Sequence, residues 1–194
     1  MHLKLKVVFL FCVLSIGNVV TYAQVCSGSL GDAVVNITFG TGVGIGTPLS
    51  TNTTTYTFAN ADCPIDGSYT IINNTINCFG GTWHSLVEDH TPNDVNGYMM
   101  LVNASLTPRD FYVDTIIGLC ANTTYEFSAW IVNVLKNTSC LPNPARPKLV
   151  FNIETVTGSV LGTFTTADIL ENASPQWQQY GLFFRTPNNT NNIV

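Results

Sequence analysis

Trp130 is the aromatic residue of this sequence whose neighbours best suit ligand binding. It falls in TYEFSAWIVNVL (124–135), where alternate positions place Glu126, Ser128 and Trp130 on one face of a strand and apolar side chains on the other. Sugar-binding faces pair an aromatic ring, which meets the C–H face of a pyranose, with side chains that hydrogen-bond its hydroxyls. We therefore predict carbohydrate binding at Trp130 and Glu126.

Two later strands offer further polar groups for this face, provided that they share a sheet with Trp130. These groups are Asn152, Glu154, Gln179 and Arg185. The alternative interpretation is that loops or a neighbouring domain cover Trp130, which would then be peripheral core.

The segment WHSLVEDHTPNDVNGY (83–98) concentrates oxygen ligands in a turn-rich stretch. Asp89, Asp94 and Asn96 are calcium candidates, and Asp94-x-Asn96-Gly97 partly matches a calcium loop, although the regular spacing and closing Glu of an EF-hand are missing. The interpretation that we favour is a solvated loop capped by Asp and Asn side chains. The sequence thus predicts no cofactor, with calcium left open as an alternative.

Trp83 and Tyr98, at the two ends of the same segment, could flank a second binding edge. His84 and His90 lack an obvious third ligand for zinc. For catalysis, the one plausible pair is Glu126 and Glu154, which would need to face one cleft at about 5.5 Å as glycosidase acid and nucleophile. Two glutamates on a sheet are far more often ordinary surface, so we predict a protein that is not an enzyme.

Short β-like runs, separated by turn-rich segments, must position these residues. The predicted strands span 34–39, 54–59, 68–73, 97–103, 111–118, 124–135, 148–156, 159–164 and 177–186. The segments between them carry Gly, Pro, Asn and Asp, which reverse chains. In 177–186, Tyr180, Leu182 and Phe184 form an apolar face opposite Gln179, Phe183 and Arg185. This spacing favours an antiparallel sandwich or jelly roll.

The first 23 residues have the pattern of a cleavable signal peptide. Lys4 and Lys6 precede an apolar run, from Val7 to Val20, that is too short to span a bilayer, and small residues end at Ala23. An N-terminal anchor helix is the alternative. Cleavage would leave 24–194 as a single module with five basic and twelve acidic residues, a net charge of −7. Such an acidic chain is a poor nucleic-acid binder.

Cysteine usage agrees with an oxidising compartment. Cys12 would leave with the signal, and the others are Cys26, Cys63, Cys78, Cys120 and Cys140. We predict the local pairs Cys63–Cys78 and Cys120–Cys140, each worth about 3 kcal/mol through lost unfolded-state entropy. Cys26 is then left over, so either its thiol is free or its partner lies beyond the given sequence.

Three stretches, TYEFSAWIVNVL, LVFNIETVTGSVL and SPQWQQYGLFFRTP, resemble the second half of jelly-roll carbohydrate-binding modules. VCSGSLGDAVVNITFG, DCPIDGSYTI, GTWHSLVEDHT, NGYMMLVNAS and FYVDTIIGLCANTTYEFSAW are similar to an N-terminal module of large secreted surface proteins of gliding Bacteroidetes-type bacteria, often with a C-terminal sorting domain. That module has no assigned activity. The resemblance implies a galactose-binding-like fold, calcium as a common stabiliser, and a C-terminal continuation that would supply a partner for Cys26.

The sequence therefore predicts an all-β antiparallel sandwich that lacks its last strand or strands. We expect a secreted or cell-surface recognition module, non-catalytic, whose partner is a polysaccharide or surface glycan. A structural or adhesion spacer without a sugar site is the first alternative, and a glycoside hydrolase is the second.

Overall fold

Short β-strands carry the structure, a computed structural model that describes residues 33–189 and 192–194. The predicted signal peptide and Cys26 lie outside the described residues. The strands are β1 (Thr57–Phe58), β2 (Ser68–Ile72), β3 (Met99–Asn103), β4 (Thr124–Ile131), β5 (Val150–Glu154), β6 (Val160–Thr165) and β7 (Gln178–Arg185). One helical turn, α1 (Cys78–Gly81), lies between β2 and β3. The predicted all-β class is confirmed.

The first sheet has the order β1-β2-β3, and its central strand is buried along its whole length. β1 pairs with β2 in parallel, whereas β2 and β3 are antiparallel. Ile72 packs with Leu86, Met99 and Leu101 on one side of the sheet. Tyr69 and Ile71, on the other side, pack with Tyr56. β2 is therefore covered on both faces, which is why it is a continuous run of buried residues.

Two further sheets, β4-β7 and β5-β6, are antiparallel pairs that pack against each other. The rings of Phe127 in β4 and Phe151 in β5 lie 5.5 Å apart. Ile153 and Phe184 are buried in the same cluster, with Leu182 packed against it. The apolar face predicted for residues 177–186 is thus the inner face of this sandwich, and the alternate residues face outward.

Residues 34–39 and 111–118 are predicted strands that the structure shows without a ladder. Val113 donates a backbone hydrogen bond to Thr53 O, and Ile116 forms an isolated bridge with Ile193. Both segments are rich in β-branched and aromatic residues. That composition favours extended chain, but a strand also needs a neighbouring edge in register.

The Cys63–Cys78 disulfide is confirmed, with its Cα atoms 5.4 Å apart. The predicted Cys120–Cys140 pair is wrong, because Cys140 has a free, exposed thiol and Cys120 is disulfide-bonded elsewhere. β4, eight residues long, lies between the two positions and extends about 25 Å, whereas bridged Cα atoms lie within about 7 Å. Beyond it, Ser139 Oγ donates to Thr82 O at 3.1 Å, which holds the chain before Cys140 near α1.

Over residues 33–189 and 192–194, the structure contains no helix long and apolar enough to cross a membrane.

Candidate functional site

The outward surface of the β4-β7 sheet carries the largest share of the predicted site residues. Because side chains alternate along a strand, every second residue of β4 from Thr124 faces outward and is exposed. Cross-strand pairing places each of these residues opposite an outward residue of β7. We call this surface the β4-β7 face; its rungs are Thr124–Arg185, Glu126–Phe183, Ser128–Gly181 and Trp130–Gln179.

Trp130 lies at one end of this face with one side of its indole ring covered. The His90 ring stacks on it, with a centroid distance of 3.7 Å and an interplanar angle of 17°. Trp177 contacts His90 edge-on at 5.9 Å, so the imidazole is held between the two indoles. Trp130 nonetheless remains 46% exposed. The stack therefore covers part of the indole, while close to half of the residue's surface stays open to solvent.

The middle of the face is polar, and its side chains are short. Gln179 Nε2 donates a hydrogen bond to Ser128 Oγ at 3.0 Å, which fixes the amide beside Trp130. The next outward position of β7 is Gly181, where a Cβ would lie only 2.2 Å from the Phe127 carbonyl oxygen. Close approach of the two backbones thus requires glycine at this position, and the rung Ser128–Gly181 projects little above the sheet.

Phe183 is a residue of this face that the sequence interpretation did not place in the site. It is 65% exposed, and it lies opposite Glu126. The sequence does indicate its position, because Phe183 alternates in step with Gln179 and Arg185 and so lies on the same face of the strand. A large apolar ring on an otherwise polar outward face is the same pattern that singled out Trp130.

Arg185 closes the other end of the face. Its Nε donates a hydrogen bond to Asn122 Oδ1 at 3.0 Å. Asn122 has a positive φ of 54° in the turn that leads into β4, a conformation that Asn tolerates better than most residues. The turn therefore helps to hold the guanidinium over the sheet end.

Asn152 and Glu154 do not join this face. Their strand, β5, pairs with β6, and it packs against β4 through the buried residues Phe151 and Ile153. Asn152 alternates with these two residues and so faces away from β4-β7, where its Oδ1 accepts a hydrogen bond from Thr163 Oγ1 at 2.9 Å. Asn152 and Glu154 could belong to the predicted site only if their strand shared a sheet with Trp130, and it does not.

Glu126 and Glu154 therefore lie in different sheets, Glu126 on an outward face and Glu154 beside a β-bulge. Glu154 N also donates to Val194 O at 2.8 Å, within an irregular part of the chain. The two carboxylates therefore do not share a cleft on the β4-β7 face, as the predicted glycosidase pair would require.

Trp83 and Tyr98 belong to two separate packing clusters. Trp83 packs against the cluster of Ile72 and Leu86, and its ring lies 4.7 Å from that of Phe79. Tyr98 packs against the cluster of Tyr69 and Ile71, on the other side of the first sheet. It also lines an open hollow of about 450 Å³ beside the glycine-rich segment 40–46. The two aromatic residues do not form one binding edge.

Two of the calcium candidates converge on Gly97. A Cβ built there would lie 2.5 Å from Asp89 Oδ1 and 2.8 Å from Asp94 Oδ2. Asp89 Oδ2 accepts a hydrogen bond from Thr91 Oγ1, and Asn96 Oδ1 accepts one from Asn73 Nδ2 at 3.5 Å. Over the described part of the chain, no group of three or more His, Cys, Asp or Glu side chains is arranged to hold a metal ion.

The clear pKa shifts lie away from the β4-β7 face. Burial, reinforced by the neighbouring carboxylate of Asp114, raises the pKa of Tyr112 to about 12. The hydrogen-bonded ion pair with Arg146 lowers the pKa of Glu171 to about 2. Tyr112 and Glu171 both lie outside the β4-β7 face, so neither shift marks a catalytic group there.

No protein family, no curated protein and no solved structure matches this chain. The resemblance to surface-protein modules therefore remains an expectation from the sequence, and any function rests on the geometry described above.

Proposed function

We propose that this chain is a non-catalytic, exported recognition module that binds carbohydrate on the β4-β7 face. The observation that carries the proposal is Trp130, whose ring is stacked on His90 and which is still 46% exposed on the outward face of the sheet. Export rests on the signal-peptide pattern of residues 1–23. We infer a polysaccharide or surface glycan as the partner.

Stacking by His90 supports this proposal on energetic grounds. A free tryptophan side chain loses rotamer freedom when a ligand settles on it, and this loss reduces affinity. Since the His90 ring lies 3.7 Å from the indole and Trp177 contacts His90 in turn, much of that ordering is present before binding. The Gln179 amide, fixed by Ser128, is placed beside the ring to hydrogen-bond a sugar hydroxyl.

Affinity electrophoresis of the intact protein tests the proposal. The gels contain hydroxyethylcellulose, xylan, glucomannan, laminarin or glycol chitin, and we expect retardation by at least one of them. Trp130→Ala should abolish that retardation. Leu106→Ala is the control, because Leu106 is 100% exposed and lies between β3 and β4, outside the face.

Retardation by none of these polysaccharides, or retardation that Trp130→Ala leaves unchanged, would contradict the proposal. Loss of binding in Trp83→Ala or Tyr98→Ala, with Trp130→Ala unaffected, would move the site to one of the other two clusters. A module that binds no glycan would fit the structural or adhesion alternative.

A further inference from the structure

Phe183 and Trp130 together define what kind of carbohydrate fits, and this inference rests on the proposed function. We infer that the ligand is an extended, uncharged polysaccharide chain that runs along the β4-β7 face from Trp130 to Phe183. A single terminal sugar would use only one end of the face.

The two aromatic positions are too far apart for a single sugar to contact both. Trp130 and Glu126 are four residues apart on β4, and Phe183 lies opposite Glu126. At about 3.3 Å per strand residue, the two aromatic positions are roughly 13 Å apart along the sheet. One pyranose is about as wide as one aromatic ring, so a single sugar cannot contact both.

The surface between the rings is suited to a chain that crosses it. Ser128 and Gly181 form the intervening rung, and both side chains are small or absent. The close contact between Gly181 and the Phe127 carbonyl excludes a larger residue at this position. Two exposed aromatic rings thus flank a low floor, with the Gln179 amide at its edge as a hydrogen-bonding group.

The charge of the face indicates a neutral chain. Of its eight residues, Glu126 is the acidic one and Arg185 the basic one, and Arg185 already donates to Asn122. The whole sequence has a formal charge of −5, which repels a polyanion at a distance. Recognition of a uronate polymer would need several cations, which this face does not supply.

The experiment measures how affinity depends on chain length in the intact protein, by isothermal titration calorimetry. The probes are the mono-, di- and hexasaccharides of the cello-, xylo-, manno-, laminari- and chito-series, with hexagalacturonate as the anionic probe. For the series that binds, we expect the hexasaccharide to bind at least about tenfold more tightly than the disaccharide, as a second stacked ring implies.

The variants separate the two ends of the face. Phe183→Ala should weaken hexasaccharide binding about fivefold and leave disaccharide binding unchanged, since a lost stacking contact has roughly that effect. Phe183→Tyr should keep the parent's affinity for the hexasaccharide, because it keeps the ring. Trp130→Ala should weaken both probes. Val160→Ala, on β6 and 60% exposed, is the control for loss of an exposed apolar side chain.

The outcomes distinguish this inference from the function on which it rests. Equal affinity for disaccharide and hexasaccharide, or a Phe183→Ala variant that binds the hexasaccharide normally, would overturn the extended-chain inference while carbohydrate binding stands. Tighter binding of hexagalacturonate than of the neutral probes would overturn the charge argument. Failure of every probe, in a protein that also fails the gel assay, would overturn the proposed function itself.

Discussion

Gly181 is the residue on which the shape of the β4-β7 face depends most directly. Its hydrogen faces the backbone of β4 so closely that a Cβ would lie 2.2 Å from the Phe127 oxygen and 3.1 Å from Ser128 Cα. These are backbone atoms, so they cannot move aside without distorting the ladder.

We predict that Gly181→Ala lowers the free energy of unfolding by about 1–3 kcal/mol, the usual cost of overpacking. Urea denaturation followed by circular dichroism measures the change. Ser128→Ala, on the same rung, is the control, and it should stay within about 0.5 kcal/mol of the parent because the residue is exposed. A Gly181→Ala variant as stable as the parent would show that the two strands are not so closely paired.

Arg146 and Glu171 form a two-point ion pair that holds the segment after Cys140 to the chain before β7. Arg146 Nε and a terminal guanidinium nitrogen donate to the two Glu171 oxygens at 2.7 and 2.8 Å. These hydrogen bonds lower the pKa of Glu171 from 4.5 to about 2. A carboxylate with a lowered pKa stabilises the folded state above its unfolded pKa and loses that effect as the pH falls through the folded pKa.

We therefore expect Glu171→Gln to lower the melting temperature at pH 7 and to have no effect near pH 2. Thermal melts of both proteins between pH 7 and pH 2 measure the difference, which should shrink below pH 4.5. Because the pair is at the surface, the shift should be small, and it should decrease further in high salt. A difference that grows as the pH falls would contradict this assignment.

At the scale of elements, alternation along the sequence predicts which residues of a strand share a face, but it does not predict which strands pair with each other. The inward and outward residues of β4 and β7 follow from a period of two, which is a local signal. Which strand lies beside which is set by packing over long sequence distances, so the sequence could not exclude Asn152 from the Trp130 sheet. Phe183 was visible in the alternation but was not singled out from the sequence.

Disulfide pairing shows the same limit. Cys63 and Cys78 enclose a compact stretch that contains β2 and its turn, and they pair as predicted. Cys120 and Cys140 have a similar sequence separation and also enclose a strand, β4, but a hydrogen bond from Ser139 to Thr82 holds the Cys140 end of the loop near α1. Sequence spacing estimates the entropy of closing a loop, but it does not reveal where tertiary contacts hold the two ends of that loop.

The pairing state of these cysteines can be measured on the intact chain. We predict that iodoacetamide labels Cys140 under native, non-reducing conditions, because its thiol is free and exposed. Peptide mapping without reduction should recover Cys63 and Cys78 linked to each other. Replacing both of these with alanine should cost about 3 kcal/mol of unfolding free energy, the value for a loop of about 15 residues. A Cys140 that resists labelling would contradict the assignment of its thiol.

At the scale of the whole molecule, β2 differs from every other described strand because it is buried on both faces. Ile71 and Ile72 are neighbours in sequence and are each 2% exposed, yet they pack in different clusters. In β5, by contrast, Phe151 is buried and Asn152 is exposed.

We predict that Ile71→Ala and Ile72→Ala each lower the free energy of unfolding by about 2–5 kcal/mol. Phe151→Ala should cost as much, whereas Asn152→Ala should cost less than about 0.5 kcal/mol. Chemical denaturation of the four variants measures this. A large difference between the two isoleucine variants would mean that one face of β2 is not part of the core.

Burial of β2 on both faces also has a consequence for how the molecule exchanges its amide hydrogens. Amides of a fully enclosed strand exchange only through global opening, whereas amides with one wet face exchange through smaller, local fluctuations. The β4-β7 and β5-β6 ladders, each with an exposed outer face, should therefore exchange before β2. A bound ligand would slow exchange in β4 and β7 and leave β2 unchanged, so that deuterium uptake would locate the binding surface without any substitution.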